Sequence, residues 1–326
     1  MDWIQTVPYK RDNAYSRLPK TGQSSAVNPH TIKTDNEPVI MEQQHYERLR
    51  EMESFTQDMF NRIIDFQEKQ HPAWNPNLSF AERIKGLPLH YLIFSCADRD
   101  PRQFGPTVAY YYPLHEEIRK IAWYCQQLAS DAQLVDLYPG NGFIGSLIAR
   151  EGIHTTGIKH NVALPNQIAS FYDESVYEFS DADLANCACD AVFASWPPSG
   201  VNPMPAIVDK RPKLIITVYT DHINQETHQR QTGTDDMFDS LPGHYQLIDH
   251  WSVTRPKDLL HEIWPDMTPS IEEIRQVRIH ADEPYHGLTL PSALPPCAPY
   301  DWEQDLHMAE LALEAKREIQ MRGLLP

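Results

Sequence analysis

Leu134-Val135-Asp136-Leu137-Tyr138-Pro139-Gly140-Asn141-Gly142-Phe143-Ile144-Gly145 is the stretch on which the reading of this chain turns. It begins as a short apolar run carrying one acid, and its pattern predicts a buried strand over 134–138. Proline and glycine then break the run. Phe143–Arg150 resumes with helical spacing, Ile144, Leu147 and Ile148 facing inward. A glycine-rich turn between a strand and a helix lets the backbone approach a ligand closely, and the helix N-terminus favours acidic or electron-rich groups. Gly140, Gly142 and Gly145 have the Gly-x-Gly-x-x-Gly spacing of a dinucleotide fingerprint. An ordinary glycine-rich turn has that spacing too, so it does not choose a ligand.

Outward from this turn, strands and helices alternate. Strands are expected at 153–158, 176–179, 190–194 and 214–219, the last reading Leu-Ile-Ile-Thr-Val-Tyr, with a helix at 164–172. Two further strands are expected at 245–253 and 274–279, separated by a long insertion. The alternation predicts an α/β, doubly wound, mostly parallel Rossmann-like sheet with helices on both faces. Upstream, Ile118, Ile121, Ala122, Cys125 and Leu128 line one face of a helix at 116–129. Leu49, Met52, Phe55, Met59, Ile63 and Phe66 mark a packing helix within 39–69, which His71-Pro72 ends. Residues 1–37 are polar and aperiodic and read as disordered.

Downstream, Asp235-Asp236 reads as the cap of a short helix at 237–240. Five prolines in 284–299 mark an extended linker. A final helix starts near Asp301, with Trp302, Leu306, Ala309 and Leu313 as its apolar stripe and Gly323 beyond its end. The expected organisation is a flexible segment at 1–38, a helical cap at 39–130, a nucleotide-binding core at 131–283, and a linker with a C-terminal helix at 284–326.

Composition narrows the function. The 326 residues carry a formal net charge of −17. Phosphate backbones are bound by excess Lys and Arg, so nucleic acid is a poor general partner for so acidic a chain. No apolar run approaches the roughly 20 residues a membrane helix needs. Met1–Gln5 has no basic region leading into an apolar stretch, so no secretion signal is expected. Five cysteines at irregular spacing point to reduced thiols and a cytoplasmic setting. Cys187-x-Cys189 has no second pair, and no metal site is expected.

Asp136 separates two readings of the glycine turn. A nicotinamide-binding turn places its first glycine directly after the strand, with no acid before it. Here the acid stands inside the strand, four residues ahead of Gly140. Asp136-Leu137-Tyr138-Pro139-Gly140-Asn141-Gly142 thus resembles motif I of the class I S-adenosylmethionine (SAM) methyltransferases. Its wording is similar to variants in the rRNA adenine dimethyltransferase group. The resemblance implies that Asp136, Tyr138, Gly140, Asn141 and Gly142 support the methionine end of SAM, with Tyr138 replacing the first glycine of the usual pattern. It also implies a ribose-binding acid after the second strand. That place, 23 residues after Asp136, holds Lys159, followed by His160 and Asn161. Lysine only donates and cannot accept from a ribose hydroxyl. Asp181 and Ala182 match the place where a carboxylate and the next backbone amide bind adenine.

After the fourth strand comes Ser195-Trp196-Pro197-Pro198. Amino-directed methyltransferases carry there a polar residue, then any residue, a proline and an aromatic. The resemblance makes Ser195 the polar group and Trp196 and Pro197 the backbone that orients the acceptor. Pro198 replaces the aromatic, leaving Trp196 to supply an aromatic wall. A rigid loop with Trp196 in the core fits the same residues. The expected function is methyl transfer from SAM to a nitrogen or oxygen of a small-molecule or protein acceptor. The alternatives are a catalytically silent methyltransferase-fold binding protein, motivated by Lys159, Tyr138 and Pro198, and an NAD(P)-dependent oxidoreductase. Tyr110-Tyr111-Tyr112-Pro113 reads either as a lid over the site or as packing.

Overall fold

The computed structural model describes residues 77–84, 108–159, 168, 170–223, 228–255 and 273–323, with single helical positions at Glu47, Arg50, Glu51, Ser54, Asp58 and Asn61. Apart from Glu47, all of these belong to one compact unit, Leu49–Pro326.

Seven strands form one sheet: β1 (Gln133–Asp136), β2 (His154–Ile158), β3 (Tyr177–Ser180), β4 (Ala191–Ser195), β5 (Leu214–Thr220), β6 (Gln246–Arg255) and β7 (Glu273–Ala281). Their order is β3-β2-β1-β4-β5-β7-β6. The first five run parallel. β7 inserts antiparallel between β5 and β6. Sequence alternation marks strands but not their direction, so this reversal comes from the structure.

β4 and β5 are buried at every position, as parallel strands covered on both faces must be. Successive residues point to opposite faces, and the core divides accordingly. Leu134, Phe193 and Ile216 join one apolar cluster with Ile118 and Ile121 of α2 (His115–Gln126) and Leu147 and Ile148 of α3 (Phe143–Arg150). Their neighbours Val135, Val192 and Ile215 join the other, with Met204 and Ile207 of α4 (Met204–Lys210). The short α1 (Phe80–Ile84) adds Phe80 to the first cluster. β6 buries nothing over 246–254, as befits an edge strand.

Two sequence expectations are corrected. Ile168, Ser170, Phe171 and Tyr172 are not helical, against the helix expected at 164–172; residues 160–167 and 169 lie outside the described residues. The Phe171 amide donates to the Asn141 carbonyl at 3.0 Å. Its ring packs 5.7 Å from Phe80 and 5.4 Å from Phe143, which fixes the chain in a non-helical course. At 237–240 there are successive turns and no helix. Met237 donates to Thr234, Asp239 to Asp236 and Leu241 to Phe238. Asp235 is engaged by Arg230, and Pro242 disfavours a helical Leu241.

The C-terminal helix, α5, spans Asp301–Met321, with Gly323 past its end at φ +68. Trp302 of its expected stripe is buried. The side chains of Leu306, Ala309 and Leu313 lie outside the described residues, as do 1–37 and most of the helix expected in 39–69. No described helix is long and apolar enough to cross a membrane.

Candidate active site

The strand order reverses between β1 and β4, and in open α/β sheets ligands bind at the carboxyl ends of the strands where this happens. A cleft opens there, enclosing roughly 660 Å³ with its mouth included.

Its floor is the β1–α3 turn. Gly140 and Gly142 have φ of 54° and 88°, a region open to glycine at little cost. Asn141 is buried. Its Nδ2 donates to the Val108 carbonyl at 2.6 Å and its Oδ1 accepts from the Phe143 amide at 3.2 Å, tying the turn to the segment before α2. Asp136 ends β1 and is 1% exposed. The Tyr177 hydroxyl donates to its Oδ2 at 3.1 Å, while Oδ1 has no hydrogen-bond partner. Tyr177 fills space left by two glycines. A Cβ on Gly145 would lie 2.3 Å from its ring, and one on Gly157 2.1 Å from its hydroxyl.

Burial pushes the Asp136 carboxyl up to about 7, against the opposing bonds from Tyr177 and the Tyr138 amide. The folded chain therefore holds a proton that the unfolded chain releases near pH 4. Stability falls as pH rises from about 4 to about 7 and levels off above. Asp136→Asn is expected to raise the melting temperature of the unliganded protein clearly more at pH 8 than at pH 5. Equal gains at the two pH values would show that the carboxyl ionises as freely in the folded chain as in the unfolded one.

One wall is the end of β4. Ser195 is buried, and Trp196 follows in the left-handed region at φ 56. Such a conformation costs a bulky residue on the order of 1–3 kcal/mol and persists only when its surroundings fix it. They do so here. The Trp196 amide donates to the Val218 carbonyl at 2.8 Å, and Gly233 donates to the Pro197 carbonyl at 3.0 Å. Gly200 donates to Gly233 at 2.9 Å, and the Thr232 hydroxyl bonds both the amide and the carbonyl of Thr220 at 2.9 Å. The Trp196 indole Nε1 is buried without a partner.

The opposite wall is the segment before α2. Tyr110 lies 6.0 Å from Trp196 with its ring 8° from parallel. Tyr111 shares a 2.8 Å hydrogen bond with the Ser195 hydroxyl. Burial holds the Tyr111 phenol well above its ordinary range, so it stays protonated. Beneath it, the Arg275 guanidinium lies 4.8 Å from the ring centre and pairs with Glu117 through two nitrogens, at 3.2 and 2.5 Å. The Trp251 indole donates to the same carboxylate at 3.2 Å. α5 clamps this wall, for Trp302 stacks edge-on against Tyr112 and donates to the Pro113 carbonyl at 3.3 Å.

The structure thus brings Asp136, Tyr138, Gly140, Asn141, Ser195 and Trp196 to one cleft. Gly142 caps α3 beside it, under Tyr172. Pro197 is buried behind the loop, its carbonyl engaged by Gly233, and Pro198 lines the cleft instead. Lys159 and Asp181 do not line it. They sit at the carboxyl ends of β2 and β3, brought together by the pairing of Ile158 with Ser180, and form an exposed ion pair at 2.9 Å. The Ala182 amide donates to the Ser180 hydroxyl at 3.1 Å. His160 lies outside the described residues. Sequence reasoning left Tyr111 between lid and packing and missed Arg275 and Glu117 as parts of the site. The tyrosine cluster was the only signal, and it read equally well as packing.

No family model and no curated protein matches the sequence. Among solved structures, the chain is similar to a Pyrococcus abyssi tRNA (uracil-54, C5)-methyltransferase in complex with S-adenosyl-L-homocysteine. The two are 17% identical over 51% of this chain and 37% of that one, with a TM-score of 0.30. A SAM-dependent methyltransferase from Thiobacillus denitrificans, also in complex with S-adenosyl-L-homocysteine, is 14% identical over 51% of this chain and 91% of that one, with a TM-score of 0.33. The magnesium protoporphyrin IX methyltransferase of Synechocystis with bound SAH is 10% identical over 69% and 99%, with a TM-score of 0.35. The fold rests on the strand order and the antiparallel β7, which are those of the class I methyltransferases.

Proposed function

We propose that the chain binds SAM in this cleft and transfers its methyl group to a nitrogen or oxygen of a small-molecule or protein acceptor. The observation that carries the reading is Asp136, a buried acid with one unpartnered oxygen, ending β1 above a glycine turn in a cleft that also holds Ser195. A buried polar atom left unpaired costs free energy, and a ligand donor such as the methionine amine of SAM would supply its partner. Gly140, Asn141 and Tyr138 form the rest of that end, and Gly142 shapes the turn behind it. The nucleoside edge fits less closely. Its acid is Asp181, with Lys159 beside it, and both are exposed; His160 and Ala182 complete that edge in this reading.

SAM supplies an already electrophilic methyl group, so the work left to the protein is orientation. Ser195 and the Trp196 carbonyl hold the acceptor, with Pro197 fixing the loop through Gly233. Tyr110, Trp196 and Phe193 exclude water from the reacting end. The net charge of −17 favours a small molecule or protein over nucleic acid. A second reading, a binding protein without turnover, draws on the Lys159–Asp181 pair at the ribose edge.

Isothermal titration of the full chain with SAM, S-adenosylhomocysteine and NADH tests the cofactor, and methyl transfer from labelled SAM separates the enzyme from the binding protein. One saturable site for the two sulfur compounds and none for NADH is the expected result. No heat at millimolar SAM would overturn the proposal, and NADH binding alone would favour an oxidoreductase.

A further inference from the structure

We infer that Tyr177 is a positioning residue, whose hydroxyl fixes the Asp136 carboxylate so that one oxygen is engaged by the protein and the other is left for the amine of the ligand. This rests on the methyltransferase reading of the cleft and adds to it a residue from outside the glycine turn.

The sheet register makes the contact possible. Tyr177 begins β3 and Asp136 ends β1, and β2 runs between them. The β2 residue beside Asp136 is Gly157. Any side chain there would bar the way, since a Cβ on Gly157 would lie 2.1 Å from the Tyr177 hydroxyl. Gly145 of α3 clears the other side. A Cβ on it would lie 2.3 Å from the Tyr177 ring and 2.5 Å from Asp136 Oδ2. Two glycines on two elements thus open one slot, and a phenol reaching across a strand fills it. The third glycine of the Gly-x-Gly-x-x-Gly spacing makes room for the partner of Asp136.

The ring is fixed as firmly as its hydroxyl. Tyr177 is buried, and Tyr172 and Phe179 stand edge-on to it at 5.8 and 5.4 Å. Burial holds the phenol well above its ordinary range, so it keeps its proton and acts as the donor to Oδ2, at 3.1 Å. Among the described residues Oδ1 has no hydrogen-bond partner. Asp136 lines the cleft, and Tyr177 braces it from behind.

The same bond acts on charge. Burial favours the neutral Asp136 carboxyl, and the bonds from Tyr177 and the Tyr138 amide oppose it. The other titratable group facing Asp136 is Tyr111, from the segment before α2, which burial also keeps protonated. A cationic amine pairs with the ionised carboxylate. Tyr177 therefore both orients the carboxylate and favours the form that the amine needs.

Tyr177→Phe in the full chain removes one oxygen and keeps the ring. Its SAM affinity is expected to fall about tenfold at pH 6.5, the size of one hydrogen bond to a charged group. The fall should be clearly smaller at pH 8.5, where the carboxyl ionises without help. The ligand's own amine titrates alike against both proteins and cancels in the ratio. Without ligand the trend reverses. The variant's deficit in melting temperature should be larger at pH 8.5 than at pH 5.5, because the lost bond favoured the ionised form. Circular dichroism shows whether the variant is folded. Unchanged SAM affinity, a loss of affinity equal at the two pH values, or a melting deficit that does not grow with pH would overturn the inference. An unmodified chain that binds no SAM would overturn the methyltransferase reading and the positioning role with it, and the ligand-free melting trend would still report separately on the bond between Tyr177 and Asp136.

Discussion

Glu117→Ala is expected to lower the stability of the chain by about 3–5 kcal/mol, read as a shift in the midpoint of urea unfolding, because it takes the Glu117 carboxylate from the buried Arg275 guanidinium. Both side chains are nearly inaccessible, at 5% and 4% exposed. The carboxylate also accepts from the half-buried Trp251 indole, which loses that partner too. The pair itself is not a large net stabiliser, since two desolvated charges repay little more than their own cost. Glu117→Leu combined with Arg275→Met should therefore recover most of the loss. A single-variant loss below about 1 kcal/mol would mean that water reaches the guanidinium. The pair joins α2 to β7 beneath Tyr111, so the double variant also asks whether that wall needs a charge or only a filled volume.

Gly140→Arg is expected to reduce SAM affinity at least about a hundredfold while the far-ultraviolet spectrum stays unchanged. The residue stands at φ 54 on the floor of the cleft. A side chain there pays the left-handed penalty of roughly 1–2 kcal/mol, and a guanidinium would fill the space beside Asp136. Gly140 lies outside both β1 and α3, so the fold should survive. Unchanged SAM affinity in a folded variant would place the cofactor elsewhere.

Much of the sheet was legible because burial imposes a period. Leu214–Thr220, buried throughout, reads as a run of apolar and β-branched residues, and Asp136 stood out because an acid in a buried strand must have a reason. The reversal of β7 left no mark, since parallel and antiparallel strands share the same side-chain alternation. The segment ending at Tyr172 misled because Ile168 and Phe171 have helical spacing, while the Asn141 carbonyl and two phenylalanine rings hold the chain out of a helix. At the site, local motifs were visible and long-range partners were not. Ser195 and Tyr111 are 84 residues apart and nothing in either segment announces the other. Lys159 and Asp181 were each chosen for the cofactor; their mutual pairing follows from the β2–β3 register, which a single sequence does not display.

The clamp by α5 sets an order of events during synthesis. The sheet, the glycine turn and the Ser195 loop are all made before residue 282. The wall carrying Tyr110 and Tyr111 is made earlier still, yet the groups that pin it come last. Trp302 reaches Pro113, Glu303 accepts from the His115 amide, and the Ala298 carbonyl meets the His115 ring. A ribosome-bound chain that has exposed every strand thus has the glycine-turn floor without the contacts that pin the Tyr110–Tyr111 wall. The site closes only when the segment around residue 303 has left the exit tunnel.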